Sequence, residues 1–283
     1  MIDIVFFNVG LGQCIFGYPR NNTDYTIMID CGDTPDFKPV DFLIEKNLLP
    51  KNGQKHVLNN LTLTNYDHDH YSGLAYLREK VKIETTKFPK NLTPEEIDEI
   101  KPDKTAALEA VIDVRKTYTS SVENHNPPYT KNTFYLNKDD FESENVGTND
   151  LSQLVFFIYN GTTICIPGDL EKSGWELMLK KAKVKELLGQ TDVYVASHHG
   201  RDNGYVSEIF EHCKPECVIM SDKHIIHGTQ ENTASMYGKI ISGDGIVLNG
   251  DSTSKRKVLT TRNDKNIWLR VEENGTRTYK SFN

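Results

Sequence analysis

"LTLTNYDHDHYSGL", Leu61 to Leu74, places an apolar run directly before two carboxylates and two imidazoles, Asp67 to His70. Such a stretch is a solvated turn, a calcium loop or one wall of a metal site. Asn, Asp and His all favour turns, which supports the first reading. The calcium reading fails on its own requirements. Asn65, Asp67 and Asp69 fit the first, third and fifth ligands of an EF-hand loop, but the sixth position needs Gly and the twelfth Glu, and here they are His70 and Tyr76.

Recurrence favours the metal site over the solvated turn. Asp169 follows the strand-like "TICIPG", His198 and His199 follow "VYVAS", and His227 lies in the loop after "VIMSDKHII". In a layered α/β protein the strand ends at one sheet edge gather into a common crevice. Residues able to ligate a metal at successive strand ends are what a metal site requires. A water coordinated there has its pKa lowered toward neutrality and becomes a nucleophile without a side-chain base.

Outward from this loop, the chain of 283 residues alternates buried strand runs with helical spacing. "IDIVFFNV", "YTIMIDCG", "VLNNLTLT", "TDVYVASHHG" and "PECVIMSD" read as strands, and "QLVFFIYNGTTICIPGD" as two strands around the Asn160-Gly161 hairpin signal. Val40 to Leu49, Ser72 to Lys80 and "YVSEIFEHC" carry helical spacing, and "GIVLNGD", "KVLTTRND" and "NIWLRVEENGTRTYKSF" read as closing β structure. The alternation indicates α/β layers, not an all-β sandwich. Lys82 to Val146 is polar, with an N-cap at Thr93 before Pro94. We read 1–283 as a single domain in which about 82–146 is a partly helical insertion lying over the site.

Composition bounds the function. Five scattered cysteines, no positively flanked leader and no long apolar segment point to a reducing cytoplasm with no membrane span. A net charge of −7 argues against a general nucleic-acid coat. The runs Lys180 to Lys185 and Lys255 to Lys257 read first as solvated surface and second as grips for a phosphate backbone. Gly10 and Gly12 follow a strand without the rest of a dinucleotide fingerprint, so they read as a tight turn beneath the site. Asp30 and Asp33 read as fixing the "DCGD" turn, and Tyr66 and Tyr71 as packing.

With these pieces in order, "TNYDHDHYSG" resembles the H-x-[HD]-x-D-H loop of the metallo-β-lactamase superfamily, and is similar in particular to the H-x-D-x-D-H loop of its ComEC-type branch. "FFNVGLGQCIF", "IMIDCG", "NDLSQLVFFI", "CIPGDL", "ASHHGRDNG" and "VLTTRNDKNIWLRV" resemble that branch's successive segments, and "HGTQ" stands where a Gly-His-Pro turn is usual. The resemblance implies an α/β fold, a four-layer αβ/βα sandwich with metals at one edge. It implies that Asp69 and His70 are ligands of the second metal, that Asp67 takes the place of a histidine, and that Asp169 bridges the metals. His198 and His199 lie in the loop expected to supply a ligand or a proton donor, His227 is the last ligand, and Asn149 replaces a third histidine. Asn65 departs from the pattern, which has His there. An oxygen-rich set suits Mn²⁺ better than a histidine-rich zinc centre would.

The resemblance implies a metal-dependent hydrolase using Mn²⁺ or Zn²⁺, one or two ions per chain, on a phosphodiester of a nucleic acid or nucleotide. Asp69, His198 and His199 are the expected catalytic residues. Two rivals stand beside it: an ester, lactone or thioester hydrolase using the same hydroxide, and a non-catalytic binding or regulatory protein, which Asn65 favours.

Overall fold

Strand Ile2–Phe6 alternates strictly: Ile2, Ile4 and Phe6 face one core and Val5 faces another. The same period runs through Ile27–Cys31, where Ile27 and Ile29 oppose Met28, and through Thr162–Ile166, where Ile164 and Ile166 oppose Cys165. Both faces of each strand are therefore covered by apolar partners, which is why the strands read as continuous hydrophobic runs. The computed structural model describes residues 1–101, 103–120, 126–141, 146–223, 229–241, 243–251 and 253–283.

Among the described residues two large mixed sheets result, beside a two-stranded ribbon of Ile246–Val247 and Lys255–Arg256. The first orders its strands Arg277–Phe282, Asn266–Val271, Ile2–Phe6, Cys14–Pro19, Ile27–Cys31, Lys55–Thr62 and Lys51–Asn52, with Val81–Lys87 also paired to Lys55–Thr62. The second orders Val258–Thr260, Cys217–Met220, Val193–Val195, Thr162–Ile166, Leu154–Tyr159 and Thr130–Phe134. Three buried clusters fill the spaces between layers. One lies between the sheets and includes Ile4, Phe6, Val155, Phe157, Val193 and Ile219. The second packs the first sheet against Leu43, Leu77, Leu108 and Val111 of its helices, and the third packs the second sheet against Trp175, Met178, Val184 and Leu187. The layers are helix, sheet, sheet, helix, which is the four-layer αβ/βα arrangement expected.

Local expectations fare unevenly. Asn160 (φ 45°) and Gly161 (φ 77°) form the hairpin turn between Leu154–Tyr159 and Thr162–Ile166, both in the left-handed region that a tight two-residue turn demands. Thr93 caps Pro94–Ile100 in a reciprocal box with Glu96. The segment 82–146 starts inside the first sheet as Val81–Lys87, carries the helices Pro94–Ile100 and Ala106–Thr117, and adds the edge strand Thr130–Phe134 to the second sheet. It is thus partly helical and also threaded into both sheets. "KVLTTRND" was expected as β structure throughout, but Thr261–Asp264 is a helical turn capped by Thr260. Among the described residues no helix is long and apolar enough to cross a membrane.

Candidate metal centre

The strands Ile27–Cys31, Lys55–Thr62, Thr162–Ile166, Val193–Val195 and Cys217–Met220 all deliver their following loops to one edge of the two sheets. There Asp69, His70, Asp169 and His199 each turn one donor atom inward, and these atoms lie within 4.8 Å of one another. His70 Nε2 is 3.0 Å from Asp169 Oδ1. His199 Nε2 is 3.3 Å from Asp69 Oδ2 and 3.4 Å from Asp169 Oδ1. His70, Asp169 and His199 are buried, whereas the Asp69 side chain is 34% exposed and forms the open side.

Each imidazole is fixed from behind. His70 Nδ1 donates to Asp30 Oδ2 at 2.8 Å, and His199 Nδ1 donates to the Ser221 carbonyl at 3.0 Å. With Nδ1 fixed as the donor on both rings, a cation entering the cluster has only the Nε2 proton to displace, after which both Nε2 atoms face it as lone-pair donors. Asp30 is itself held by Gln13 Nε2 at 2.7 Å, the Thr64 amide at 2.6 Å and Thr64 Oγ1 at 2.5 Å. Asp30 thus does more than fix a turn: its carboxylate orients a clustered imidazole. The sequence carried one sign of this, an acidic residue ending a strand that is otherwise apolar.

The backbone of the loop is clamped too. Gln13 N donates to the Asp69 carbonyl at 3.3 Å, and a Cβ on Gly12 would sit 2.5 Å from that oxygen. Gly12 therefore tolerates no side chain, which explains the tight turn beneath the site. His198 (φ 48°) and His199 (φ 55°) both occupy the left-handed region, unusual for residues other than glycine, and the His198 amide donates to the Gly168 carbonyl at 3.0 Å. This conformation swings the two rings apart. His199 enters the cluster, while His198 Nε2 accepts from Arg201 Nη1 at 3.0 Å and its Nδ1 faces Glu171 Oε1 at 3.3 Å.

The electrostatics follow the geometry. Burial works against a charged His70, but the carboxylates of Asp169 and Asp30 on either side override it and hold its pKa well above the usual imidazole range. His199 is raised for the same reason, burial being overcome by Asp169 and Asp69. Burial would lift Asp169 and Asp69, yet the neighbouring imidazoles hold both below the ordinary carboxylate value. At His198 burial, aided by the charges of Arg201 and His199, outweighs the pull of Asp169 and Glu171 and lowers the pKa, so its ring is neutral near pH 7.

The donor set fits a divalent cation. His70 Nε2, Asp169 Oδ1 and His199 Nε2 are buried and have no hydrogen-bond partner of acceptable geometry. An orphaned buried polar group costs about 1–3 kcal/mol, so three converging at one point form an arrangement that a shared ion would relieve. Two carboxylates and two imidazoles make a mixed set, less oxygen-rich than the sequence implied, and it suits Zn²⁺ as well as Mn²⁺.

The other expected ligands are placed differently. Asp67 is outside the cluster and forms an ion pair with Lys101. Asn65 Oδ1 accepts from the Asp67 amide at 2.8 Å, and its Nδ2 donates to Ser152 Oγ at 2.9 Å. Asn149 Nδ2 donates to Glu171 Oε1 at 2.7 Å. His227 lies outside the described residues. The basic run near the C-terminus is engaged locally: Lys255 pairs with Asp244, Arg256 with Asp264, and Lys257 donates to the Ile241 carbonyl.

No family model matches the chain, and no curated protein matches it. Solved structures do. The chain is similar to CmlA, a diiron β-hydroxylase from Streptomyces venezuelae, at 13% identity over 95% of this chain and 54% of that one, with a TM-score of 0.53. It thus spans about half the length of that protein, and the likeness concerns the fold. It is also similar to the metallo-β-lactamase fold protein YhfI from Bacillus subtilis, at 12% identity, 86% and 94% coverage and a TM-score of 0.49. A diphosphatase from the PhnP family matches at 11% identity, 96% and 98% coverage and a TM-score of 0.49.

Proposed function

We propose that the chain is a metal-dependent hydrolase acting on a phosphodiester, with Asp69, His70, Asp169 and His199 holding Zn²⁺ or Mn²⁺. The observation that carries this reading is the convergence of the unpartnered atoms His70 Nε2, Asp169 Oδ1 and His199 Nε2 at one edge of the sheets. A divalent ion bound there supplies Lewis acidity and an acidified water.

The chain's own residues fill the remaining roles. Asp30 and the Ser221 carbonyl keep both ligating rings in one tautomer. His198, its Nε2 accepting from Arg201 and its Nδ1 facing Glu171, is a neutral ring that positions Arg201 beside the centre and is not itself a proton source. Arg201 adds a fixed positive charge three residues along the same loop, which suits an anionic substrate. The sequence resemblance to ComEC-type proteins supports the same substrate class. A second reading, a protein that binds a metal without turnover, draws on the engaged amide of Asn65.

Incubating the metal-loaded chain with bis(p-nitrophenyl) phosphate, single-stranded DNA and p-nitrophenyl acetate separates these readings. Cleavage of the phosphodiesters, lost in Asp169→Asn, is expected. Cleavage of the acetate alone would refute the phosphodiester assignment, and metal uptake with no turnover of any substrate would favour the second reading.

A further inference from the structure

The metal loop holds one carboxylate that the cluster does not use. Asp67 stands two residues before Asp69, and its Oδ1 receives both Lys101 Nζ and Thr148 Oγ1, the latter at 2.9 Å. Lys101 ends the helix Pro94–Ile100, and its side chain is only 19% exposed. The amides that would complete a second cation site are engaged with protein partners. Asn65 Oδ1 accepts from the Asp67 amide, and Asn65 Nδ2 donates to Ser152 Oγ at 2.9 Å and Asn149 Oδ1 at 3.5 Å. Asn149 Nδ2 in turn holds Glu171.

Resting on the metal-centre reading above, we propose that Lys101 Nζ takes the place of a second metal ion, so that the chain binds a single divalent ion and its own ammonium supplies the second positive charge. An ammonium and a dication repel strongly at contact distance in a partly buried site. A metal approaching Asp67 would have to displace a lysine that is covalently present on every molecule. The donors beside Asp67 are weak, since Asn65 and Asn149 are neutral amides, whereas transition metals prefer imidazole or thiolate. The amide at Asn65 and the lysine at 101 thus belong together. The amide offers that second ion no imidazole, and the lysine neutralises the carboxylate beside it. This also gives the segment 82–146 a function at the site: it delivers the charge.

The test is a calorimetric titration of the metal-stripped chain with Zn²⁺ alone. The wild type, Asp67→Asn, Lys101→Arg and Lys101→Ala are compared, with circular dichroism to verify folding and Lys101→Met standing in for Lys101→Ala if the latter unfolds. One equivalent is expected for the wild type, Lys101→Arg and Asp67→Asn. Removing the ammonium in Lys101→Ala frees Asp67, and a second equivalent is expected there, weaker than the first by about tenfold or more. Two equivalents in the wild type, loss of the single ion in Asp67→Asn, or only one equivalent in Lys101→Ala would each overturn the proposal. No binding at all by the wild type would instead remove the metal-centre reading on which it rests.

Discussion

Asp30 shows how a residue outside the cluster controls it. Its two oxygens accept from Gln13, the Thr64 amide and hydroxyl, and His70, and its own backbone sits at φ 56° to reach them all. Asp30→Asn places an NH₂ against groups that themselves donate, so the His70 ring loses its anchor. Partners of ligating histidines typically contribute about 10–100-fold in metal affinity. Asp30→Asn should therefore weaken Zn²⁺ binding by about that factor, read by competition with a chromophoric chelator. An unchanged affinity would mean that Asp30 serves the turn alone. Gly12 offers a complementary case. Gly12→Ala drives a methyl group into the Asp69 carbonyl, and because backbone cannot step aside cheaply, both thermal stability and metal affinity should fall. Affinity that holds while stability drops would show that the loop re-forms elsewhere. Neither effect rests on a changed ligand.

At the scale of elements, capping and turn chemistry predict local costs. Thr93→Ala removes the Oγ1 that accepts the Glu96 amide at 3.1 Å, and such a cap is worth about 1 kcal/mol. Denaturant unfolding should show that loss, and a change near zero would mean the helix is set by packing of Ile97 alone. The N-cap at Thr93 and the Asn160-Gly161 turn were legible in the sequence because their causes lie within four residues of chain. The strands were legible because both sheet faces are covered, so apolar runs persist unbroken. Helix ends were less so. Val40 to Leu49 carries helical spacing, but the helix is Pro39–Glu45, and Asn47 turns left-handed (φ 53°) to leave it. "YVSEIFEHC" yields only Ile209–His212, since Tyr205 is drawn away to pack at 5.1 Å against the Tyr237 ring, an element remote in sequence. The site follows the same rule. That metal-ligating residues gather at strand ends was readable. Which of Asp67 and Asp69 turns inward was not, because Lys101, thirty-odd residues on, decides it. Nor could spacing separate His198 from His199, whose rings diverge through positive φ.

Across the whole molecule, Lys131 links the two sheets. It lies on the edge strand Thr130–Phe134 of the second sheet, and its Nζ donates at 2.6 Å to both Asn60 Oδ1 and Thr62 Oγ1 of the first. Burial, aided by Lys87, pushes its pKa down to about 7. Below that pH the folded and unfolded states both hold the proton, and the full cost of burying the charge is present. Between about 7 and the unfolded value of about 10.4 only the unfolded chain holds it, so stability rises with pH, by up to roughly 1.4 kcal/mol per unit. Denaturant unfolding of the wild type at pH 7, 8 and 9 should show a rising contribution that Lys131→Met lacks. Identical slopes in the two proteins would place the ammonium in water. The site depends on this sheet-to-sheet register, because its donors come from both sheets: Asp69 and His70 from one, Asp169 and His199 from the other. An anomalous-difference map from crystals grown with Zn²⁺ examines that convergence directly. It should show one peak bonded by Asp69, His70, Asp169 and His199, with Asp67 still paired to Lys101. A map with no peak among those four, or with the ion seated on Asp67, Asn65 and Asn149, would contradict the account.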